Sequence, residues 1–241
     1  MATAQSLALS RLSGASRPQR RQERRANGPC ELQAAIHHCW SNDRQELETY
    51  IQGVFAQGYG AEVKHFLPQL MSLRATDGSL HAALGMRSGG TGQLFLETYL
   101  DEPVEKRLAA VSGLEAQRDS IVEIGNLAST QPGAARWMFL ALAAYLHGRG
   151  TEWAIYTVAP FLKNTFLKLG FNLHILAKAD KSRLGEDAKE WGSYYDASPE
   201  VMAVSVSQAY YSVLHFAEQT GDESLLRLCT NAFEMGIRSR G

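Results

Sequence analysis

Cysteine and long apolar runs are scarce in this sequence. The 241 residues include three cysteines, Cys30, Cys39 and Cys229, an odd number with no paired spacing. That usage favours a reduced, cytoplasmic protein without structural disulfides. No segment approaches the roughly 20 apolar residues that span a membrane, and the apolar stretch at residues 7–9 is too weak for a secretory signal. We therefore expect a cytoplasmic protein whose contact with membranes is at most peripheral.

A strong overall charge is also absent. The chain has 24 lysines and arginines against 25 aspartates and glutamates, a formal net charge of −1, which gives no general attraction to nucleic acid. Charge is concentrated in residues 1–29, which contain six arginines and one glutamate. Because this stretch is rich in serine and lacks apolar periodicity, we predict a basic, disordered tail. The tail is either a solvated arm or a contact for phosphate, an acyl carrier protein or a membrane surface.

Motifs for serine hydrolysis, nucleotide hydrolysis and metal binding are missing. The sequence has no Gly-x-Ser-x-Gly elbow and no Walker sequence. Cys30, His37, His38 and Cys39 lie close together, but neighbouring residues of a strand point to opposite faces, so His37 and His38 would not share an ion. We predict no metal site.

Residues 30–241 have the composition of a single packed domain. An apolar content of 45% supplies a core. Periodicity predicts an α/β (α+β) domain with a mixed seven-stranded sheet, flanking helices and two helices at the C-terminal end. Strands at residues 67–74 and 79–86 form a hairpin through Asp77-Gly78. Residues 93–100 read as a further strand, and Asp43 is expected to cap the first helix.

The chain centres on a strand, turn, helix and strand unit. A buried strand at residues 120–128 is followed by a turn with Pro132 and Gly133, a strongly apolar helix, and a second strand that ends at Val158. Such a unit makes the two strands parallel neighbours. Several free backbone amides of the turn then point outward at the helix N-terminus, which predicts an anion-binding site.

These motifs resemble those of a known family. Residues 130–135, Thr-Gln-Pro-Gly-Ala-Ala, resemble the Gln/Arg-x-x-Gly-x-Gly/Ala turn of GNAT acyltransferases, with Thr130 where Gln or Arg is usual. The core is similar to the thermostable hemolysin family, itself related to GNAT enzymes and acyl-homoserine lactone synthases. The resemblance covers roughly residues 30–215 and includes residues 122–129, Trp153, Lys163-Asn164, residues 177–180 and 191–195, Pro199 and Met202.

The resemblance implies a thioester donor. The two parallel strands should splay apart and admit the pantetheine arm of acyl-coenzyme A or acyl carrier protein. The backbone amide of Leu127 would stabilise the tetrahedral oxyanion. The residues expected to bind the donor are Leu127, Ser129, Thr130, Gln131, Gly133, Ala134, Ala135, Arg136 and Asn164.

Glu123 is the main candidate for catalysis. It is a carboxylate in an apolar strand, where burial would raise its pKa toward that of a base for an ammonium nucleophile. The alternative is a buried ion pair with an arginine. Asn126 projects to the opposite face of a regular strand, so it can share a pocket with Glu123 only if the strand bulges, which Gly125 would permit.

The source of a proton for the departing thiolate is open. Many GNAT enzymes carry a tyrosine four residues before a Gly-Phe pair, where this chain has Phe166. Tyr156, Tyr194 or Tyr195 is the substitute, or the thiolate leaves unprotonated, or the chemistry has been lost.

Aromatic and charged residues near position 190 are candidates for acceptor binding. Trp191, together with Tyr194 and Tyr195, either lines a site for an acyl chain and a small head group or only covers the core. Asp180 and Arg183 either bind a charged acceptor or form a solvated turn.

The leading hypothesis is an N-acyltransferase. It would move an acyl group from acyl-coenzyme A or acyl carrier protein to the amine of a small metabolite or amino acid, with S-adenosylmethionine as a further open ligand. One alternative is a membrane-active hemolysin, although the central helix is apolar nearly all round, as expected for burial against a sheet. The other is a non-catalytic binding module of the same fold, which Phe166 and the altered turn favour.

Overall fold

Seven strands form one mixed sheet in the computed structural model, which describes residues 31–240. The strand order is β1-β2-β3-β4-β5-β7-β6. The predictions for Cys30 and for the basic tail lie outside the described residues. The strands are β1 Leu32–His37, β2 Gln69–Ala75, β3 Leu80–Ser88, β4 Ile121–Ser129, β5 Trp153–Val158, β6 Leu173–Lys178 and β7 Glu200–Ser205.

Helices cover both faces of the sheet. They are α1 Arg44–Tyr59, α2 Val104–Ser112, α3 Ala134–Arg149, α4 Pro160–Lys168, α5 Val206–Thr220 and α6 Glu223–Arg238. Only β4 and β5 are parallel; every other pair of neighbouring strands is antiparallel. The predicted α/β class, the hairpin, the parallel pair and the two C-terminal helices are therefore confirmed. No helix within residues 31–240 is long and apolar enough to cross a membrane.

One predicted strand is wrong. Within residues 93–100 the structure has a 3-10 helix, Phe95–Tyr99. The reason is the Glu97 carboxylate, which accepts hydrogen bonds from the backbone amides of Leu94 (2.9 Å) and Val104 (3.0 Å) and pairs with Arg118. Those bonds fold the segment into a helical turn instead of leaving its amides for a neighbouring strand.

The predicted helix cap at Asp43 is also wrong. Asp43 precedes α1, but its carboxylate makes no bond to the helix amides. It lies 2.8 Å from Nδ1 of His37, whose Nε2 is 2.8 Å from Oγ of Ser72. This chain of side chains joins α1 to β1 and β2, and it places His37 in a buried structural network.

The two faces of the sheet are packed differently. On one face, here the α3 face, α3, α5 and α6 bury Val122 and Ile124 of β4 in one continuous core. Gly148 and Gly236 let α3 and α6 approach so closely that a Cβ at either position would meet a backbone oxygen. The opposite α1 face carries α1, α2 and the 3-10 segments Lys181–Trp191 and Tyr194–Ala197.

Candidate active site

The parallel strands β4 and β5 separate partway along their length. They pair only from Ile121 with Trp153 to Ile124 with Tyr156. Beyond that point β4 continues to Ser129 and β5 to Val158 without pairing to each other. The expected splay is therefore confirmed, and it opens toward the start of α3.

A bulge interrupts β4 at the splay. Gly125 pairs with Gly85 and Ala128 with Ala83, so Asn126 and Leu127 together face a single residue of β3. Asn126 has a φ of +53°, which breaks the alternation of the strand. The bulge that Asn126 needs in order to share a pocket with Glu123 is thus present. It leaves backbone groups of β4 outside the regular hydrogen-bond ladder.

The bulge brings the Asn126 side chain onto the α1 face, where Glu123 lies. There Oδ1 accepts a hydrogen bond from the Leu67 amide (3.0 Å) and Nδ2 donates to the His65 carbonyl (3.3 Å). Asn126 therefore holds the connection between α1 and β2 over the sheet. Since both polar atoms of the side-chain amide bond to this connection, Asn126 positions the connection in this structure.

Glu123 is buried, with 4% of its surface exposed. Its two oxygens accept hydrogen bonds from the backbone amides of Phe95 (3.1 Å) and Leu96 (2.9 Å). Burial raises the pKa of this carboxyl, while the two amides and the charge of Arg87 partly oppose the rise. Among residues 31–240 no arginine or lysine forms an ion pair with it, so the described part of the chain does not supply the arginine partner of the alternative.

The candidate tyrosines occupy three different environments. Tyr156 lies on the α3 face against Phe139 and Phe166, opposite Glu123. Tyr195 shares a short hydroxyl hydrogen bond with Tyr99, and burial raises the Tyr195 pKa to about 12. Tyr194 alone reaches the splay, where its hydroxyl donates to the Thr157 carbonyl (3.1 Å).

Tyr99 was missed by the sequence reasoning. Burial raises its pKa, and its hydroxyl is linked to Tyr195 close to Glu123. Tyr99 was not recognised from the sequence because residues 93–100 have the composition of a strand. Hydrogen bonds from backbone amides to the carboxylates of Glu97 and Glu123 hold this segment in the 3-10 helix in which Tyr99 is buried.

An aromatic cluster covers the splay on the α1 face. Trp191 and Tyr194 contact three rings from other elements: Phe55 and Tyr59 of α1, and Phe95 of the 3-10 helix, with centroid separations from 5.3 to 6.4 Å. We call these five side chains the aromatic wall. The sequence identified Trp191 and Tyr194 but not the other three, which come from elements remote in the chain.

The turn before α3 presents unpaired backbone amides. Among the described residues, the amides of Gln131, Gly133 and Ala135 have no hydrogen-bond partner. The amide of Ala134 instead donates to the Gln131 carbonyl, and the amide of Arg136 donates to the Gly133 carbonyl, both at a distance of 3.1 Å. Gly133 has a φ of +83°, a left-handed conformation that glycine adopts without strain. The start of α3 therefore has the geometry of an anion site.

Side chains around the turn define its edges. The Thr130 amide donates to the hydroxyl of Tyr50 (3.0 Å), a residue that the sequence reasoning also missed. Ser129 Oγ donates to the Gln131 carbonyl (3.3 Å). Arg136 is exposed and its guanidinium lies 5.5 Å from the ring centre of Phe216. Asn164 is exposed on α4, apart from these contacts.

Two other candidate positions are not directed into the site. Asp180 accepts a hydrogen bond from the Ser182 amide (2.9 Å), which lowers the Asp180 pKa. Arg183 forms an ion pair with Asp101. Both contacts favour the solvated-turn alternative. Phe166 is fully buried against Phe139.

Comparison with known proteins supports the same fold. Residues 38–210 match the model of the family described as thermostable hemolysin. The chain belongs to the thermostable hemolysin family. A search of curated proteins returned no match.

Solved structures of three synthases share the fold of this chain. The AHL synthase LasI is 12% identical, with 76% of this chain and 95% of LasI covered and a TM-score of 0.53. FeeM, an N-acyl amino acid synthase from uncultured soil microbes, is 14% identical, with coverages of 80% and 98% and a TM-score of 0.50. BjaI, a CoA-dependent acyl-homoserine lactone synthase solved with SAM and isopentyl-CoA, is 12% identical, with coverages of 83% and 98% and a TM-score of 0.51. At these identities the likeness establishes the fold.

Proposed function

We propose that this protein is an N-acyltransferase. It moves an acyl group from acyl-coenzyme A or acyl carrier protein to the amine of a small metabolite or amino acid. One observation carries the proposal: the buried carboxylate of Glu123, the bulge at Asn126 and the unpaired amides at the start of α3 follow one another along one strand that splays from its neighbour. Proteins of this fold that are described as acyl-homoserine lactone or N-acyl amino acid synthases make the same assignment reasonable here.

The donor binds along the splay. Its phosphate groups contact the amides of Gln131, Gly133 and Ala135, where the helix dipole contributes about 0.3–1 kcal/mol and the hydrogen bonds add more. Its pantetheine arm passes between the separated strands. The backbone amide of Leu127, in the bulge, faces the thioester carbonyl and stabilises the oxyanion. Ser129, Thr130, Ala134, Arg136 and Asn164 complete the surroundings of the donor.

The acceptor amine approaches from the α1 face. Glu123 takes a proton from the ammonium group, and the amine nitrogen then attacks the thioester carbonyl carbon. The new C–N bond gives the tetrahedral oxyanion, and the C–S bond breaks as this intermediate collapses to the amide. The departing thiolate takes up a proton from a nearby acid, and the second proton lost by the nitrogen replaces it there. Of the candidate tyrosines, Tyr194 is the one whose hydroxyl lies at the splay, so we assign this proton to it. Trp191 and the rest of the aromatic wall contact the acyl chain.

A non-catalytic binding module is the second candidate function. Each oxygen of Glu123 already accepts a backbone amide, which is also how a purely structural carboxylate would be held. The position that carries a tyrosine in many GNAT enzymes is a buried phenylalanine, Phe166. This alternative keeps donor binding and lacks turnover.

Native mass spectrometry of the purified protein tests donor binding. The protein is measured alone and with acetyl-, octanoyl- and palmitoyl-coenzyme A, and we expect retention of a thioester with a preferred chain length. If none is retained and an acylated carrier protein also fails to bind, the acyltransferase proposal is wrong.

Turnover separates the enzyme from the binding module. Release of free thiol is followed with the retained donor and a panel of amino acids and other amines. Glu123→Gln should abolish release while keeping donor binding, whereas Glu218→Gln, at an exposed position on α5, should match the wild type. A Glu123→Gln protein with full activity would exclude Glu123 from the mechanism.

A further inference from the structure

The Thr157 carbonyl marks the inner end of the splay. Thr157 follows Tyr156, the last residue of β5 that pairs with β4. The Val206 amide donates to the Glu152 carbonyl, which sets the alternation along β5 so that every second residue from Glu152 faces β7. Thr157 does not belong to that series, so its backbone carbonyl points to the other side of β5, where β4 has separated from it. A strand carbonyl in this position requires another donor.

The Tyr194 hydroxyl supplies that donor. It lies 3.1 Å from the Thr157 oxygen. The ring is held by Tyr59 at 5.3 Å and Trp191 at 5.5 Å between centroids, and burial raises the pKa of the hydroxyl. Tyr194 is therefore neutral and its ring is held in place. Its hydroxyl makes the hydrogen bond to the Thr157 carbonyl that a strand inserted between β4 and β5 would otherwise make.

The core on the α1 face has a gap at the same place. Its buried residues form two separate clusters, one under α1 and one over β5, β6 and β7. Trp191 and Tyr194 are the two side chains that pack against both clusters. The slot between the clusters, directly over the splay, is thus filled by these two rings.

The segment that carries the two rings is attached to the end of α1. The Ser193 amide donates to the Tyr59 carbonyl (2.9 Å), and the Glu62 amide donates to the Glu190 carbonyl (2.7 Å). Gly192, with a φ of +50°, lies so close to the Tyr59 carbonyl that no side chain would fit. These polar contacts hold the backbone in place, so the rings can turn while the segment stays docked.

We propose that Tyr194 is a stand-in for the acyl donor: an amide N–H of the pantetheine arm replaces its hydroxyl on the Thr157 carbonyl, and the ring turns aside, which frees the hydroxyl to protonate the departing thiolate. This inference rests on the proposed function. A pantetheine arm is extended and carries secondary amides, so it adds to a strand edge as a peptide does. Because the free protein must give up the Tyr194 bond first, the apparent affinity for donor is lower than the intrinsic affinity.

Tyr194→Phe tests the exchange, because it keeps the ring and removes the competing hydroxyl. We expect octanoyl-coenzyme A and octanoyl-pantetheine to bind about three- to ten-fold more tightly to this variant than to the wild type. Adenosine 3′,5′-bisphosphate, which lacks the arm, should bind both proteins equally. Tyr211→Phe, at an exposed position on α5, is the matched control and should change neither affinity.

Unchanged or weaker thioester binding by Tyr194→Phe would overturn the inference while leaving the proposed function intact. If neither protein binds a thioester or the bisphosphate, the donor assignment itself fails and the inference fails with it. Acrylamide quenching of tryptophan fluorescence in the wild type gives a second readout that needs no variant. Octanoyl-pantetheine should change the accessibility of Trp191 if the rings are displaced, and an unchanged quenching curve would contradict displacement.

Discussion

The two faces of the sheet differ in how their cores are packed. The α3 face has one continuous apolar core, with α3 buried between the strands and α6. The α1 face has two smaller cores, short 3-10 segments, a buried carboxylate and linked tyrosine hydroxyls. Dense packing of apolar groups leaves no space for a ligand, whereas a divided core with polar groups at its seam does. We infer that the α3 face contributes most of the stability, and the α1 face holds the groups of the proposed site.

The largest expected effect is on the α3 face. Phe166→Ala removes a fully buried ring and should lower the free energy of unfolding by about 3–5 kcal/mol. Phe95→Ala on the α1 face, where 37% of the side chain is exposed, should cost clearly less. Urea denaturation of both variants measures the difference. Equal losses would contradict the division of roles between the two faces.

A charged anchor on the α1 face should give an intermediate effect. Glu97 is held by Arg118 and by the amides of Val104 and Leu94, and these contacts lower its pKa to about 2. A lowered pKa stabilises the fold above the ordinary value of 4.5, and this contribution disappears as the pH falls from 4.5 to about 2. Since water reaches the pair, we expect Glu97→Gln to cost about 1–3 kcal/mol at pH 7.

Urea denaturation between pH 7 and pH 2 checks this expectation. The stability difference between wild type and Glu97→Gln should shrink as the pH falls through that window. Glu186→Gln, at an exposed residue that pairs with Lys189 on the surface, is the control and should show almost no difference. A constant gap across the pH range would mean that the Glu97 charge does not hold the 3-10 helix.

The smallest expected effect is the titration of Glu123, and it has the opposite sign. Its pKa is raised above the ordinary 4.5 by burial. A raised pKa stabilises the fold below pH 4.5, and this contribution is lost as the pH rises through the folded-state pKa. Relative to Glu123→Gln, the wild type should therefore lose stability as the pH rises above 4.5. The difference in urea midpoint between the two proteins measures it, and a difference that is constant with pH would contradict a raised pKa.

Local patterns predicted much of this molecule because they depend on near neighbours. The Asp77-Gly78 turn, the apolar periodicity of α3 and the turn at Pro132 and Gly133 were read correctly. Gly125 was read as permitting a bulge, and the register shows that one is present. The burial of Glu123 also followed from one carboxylate in an apolar strand. Each of these features is decided by a few consecutive residues.

Features that depend on distant partners were missed. Asp43 has the sequence of a helix cap, but its carboxylate bonds to His37, whose other ring nitrogen bonds to Ser72. Residues 93–100 have the composition of a strand, but Glu97 and Arg118 fold them into a 3-10 helix. In both cases a charged side chain binds a partner from another part of the fold instead of the backbone groups that its local pattern predicts. The tertiary contact therefore overrides the local propensity.

The sequence by itself determined the parallel pair, the helix start with free amides and the buried carboxylate, and it permitted the bulge, because those follow from periodicity and from glycine and proline chemistry. The tertiary structure alone decided what surrounds them: the amides of Phe95 and Leu96 on Glu123, the Tyr99–Tyr195 pair, and Tyr194 on the Thr157 carbonyl. Hydrogen bonds and ring contacts between remote segments form only when the packed core fixes both partners. No local pattern encodes the distance between them.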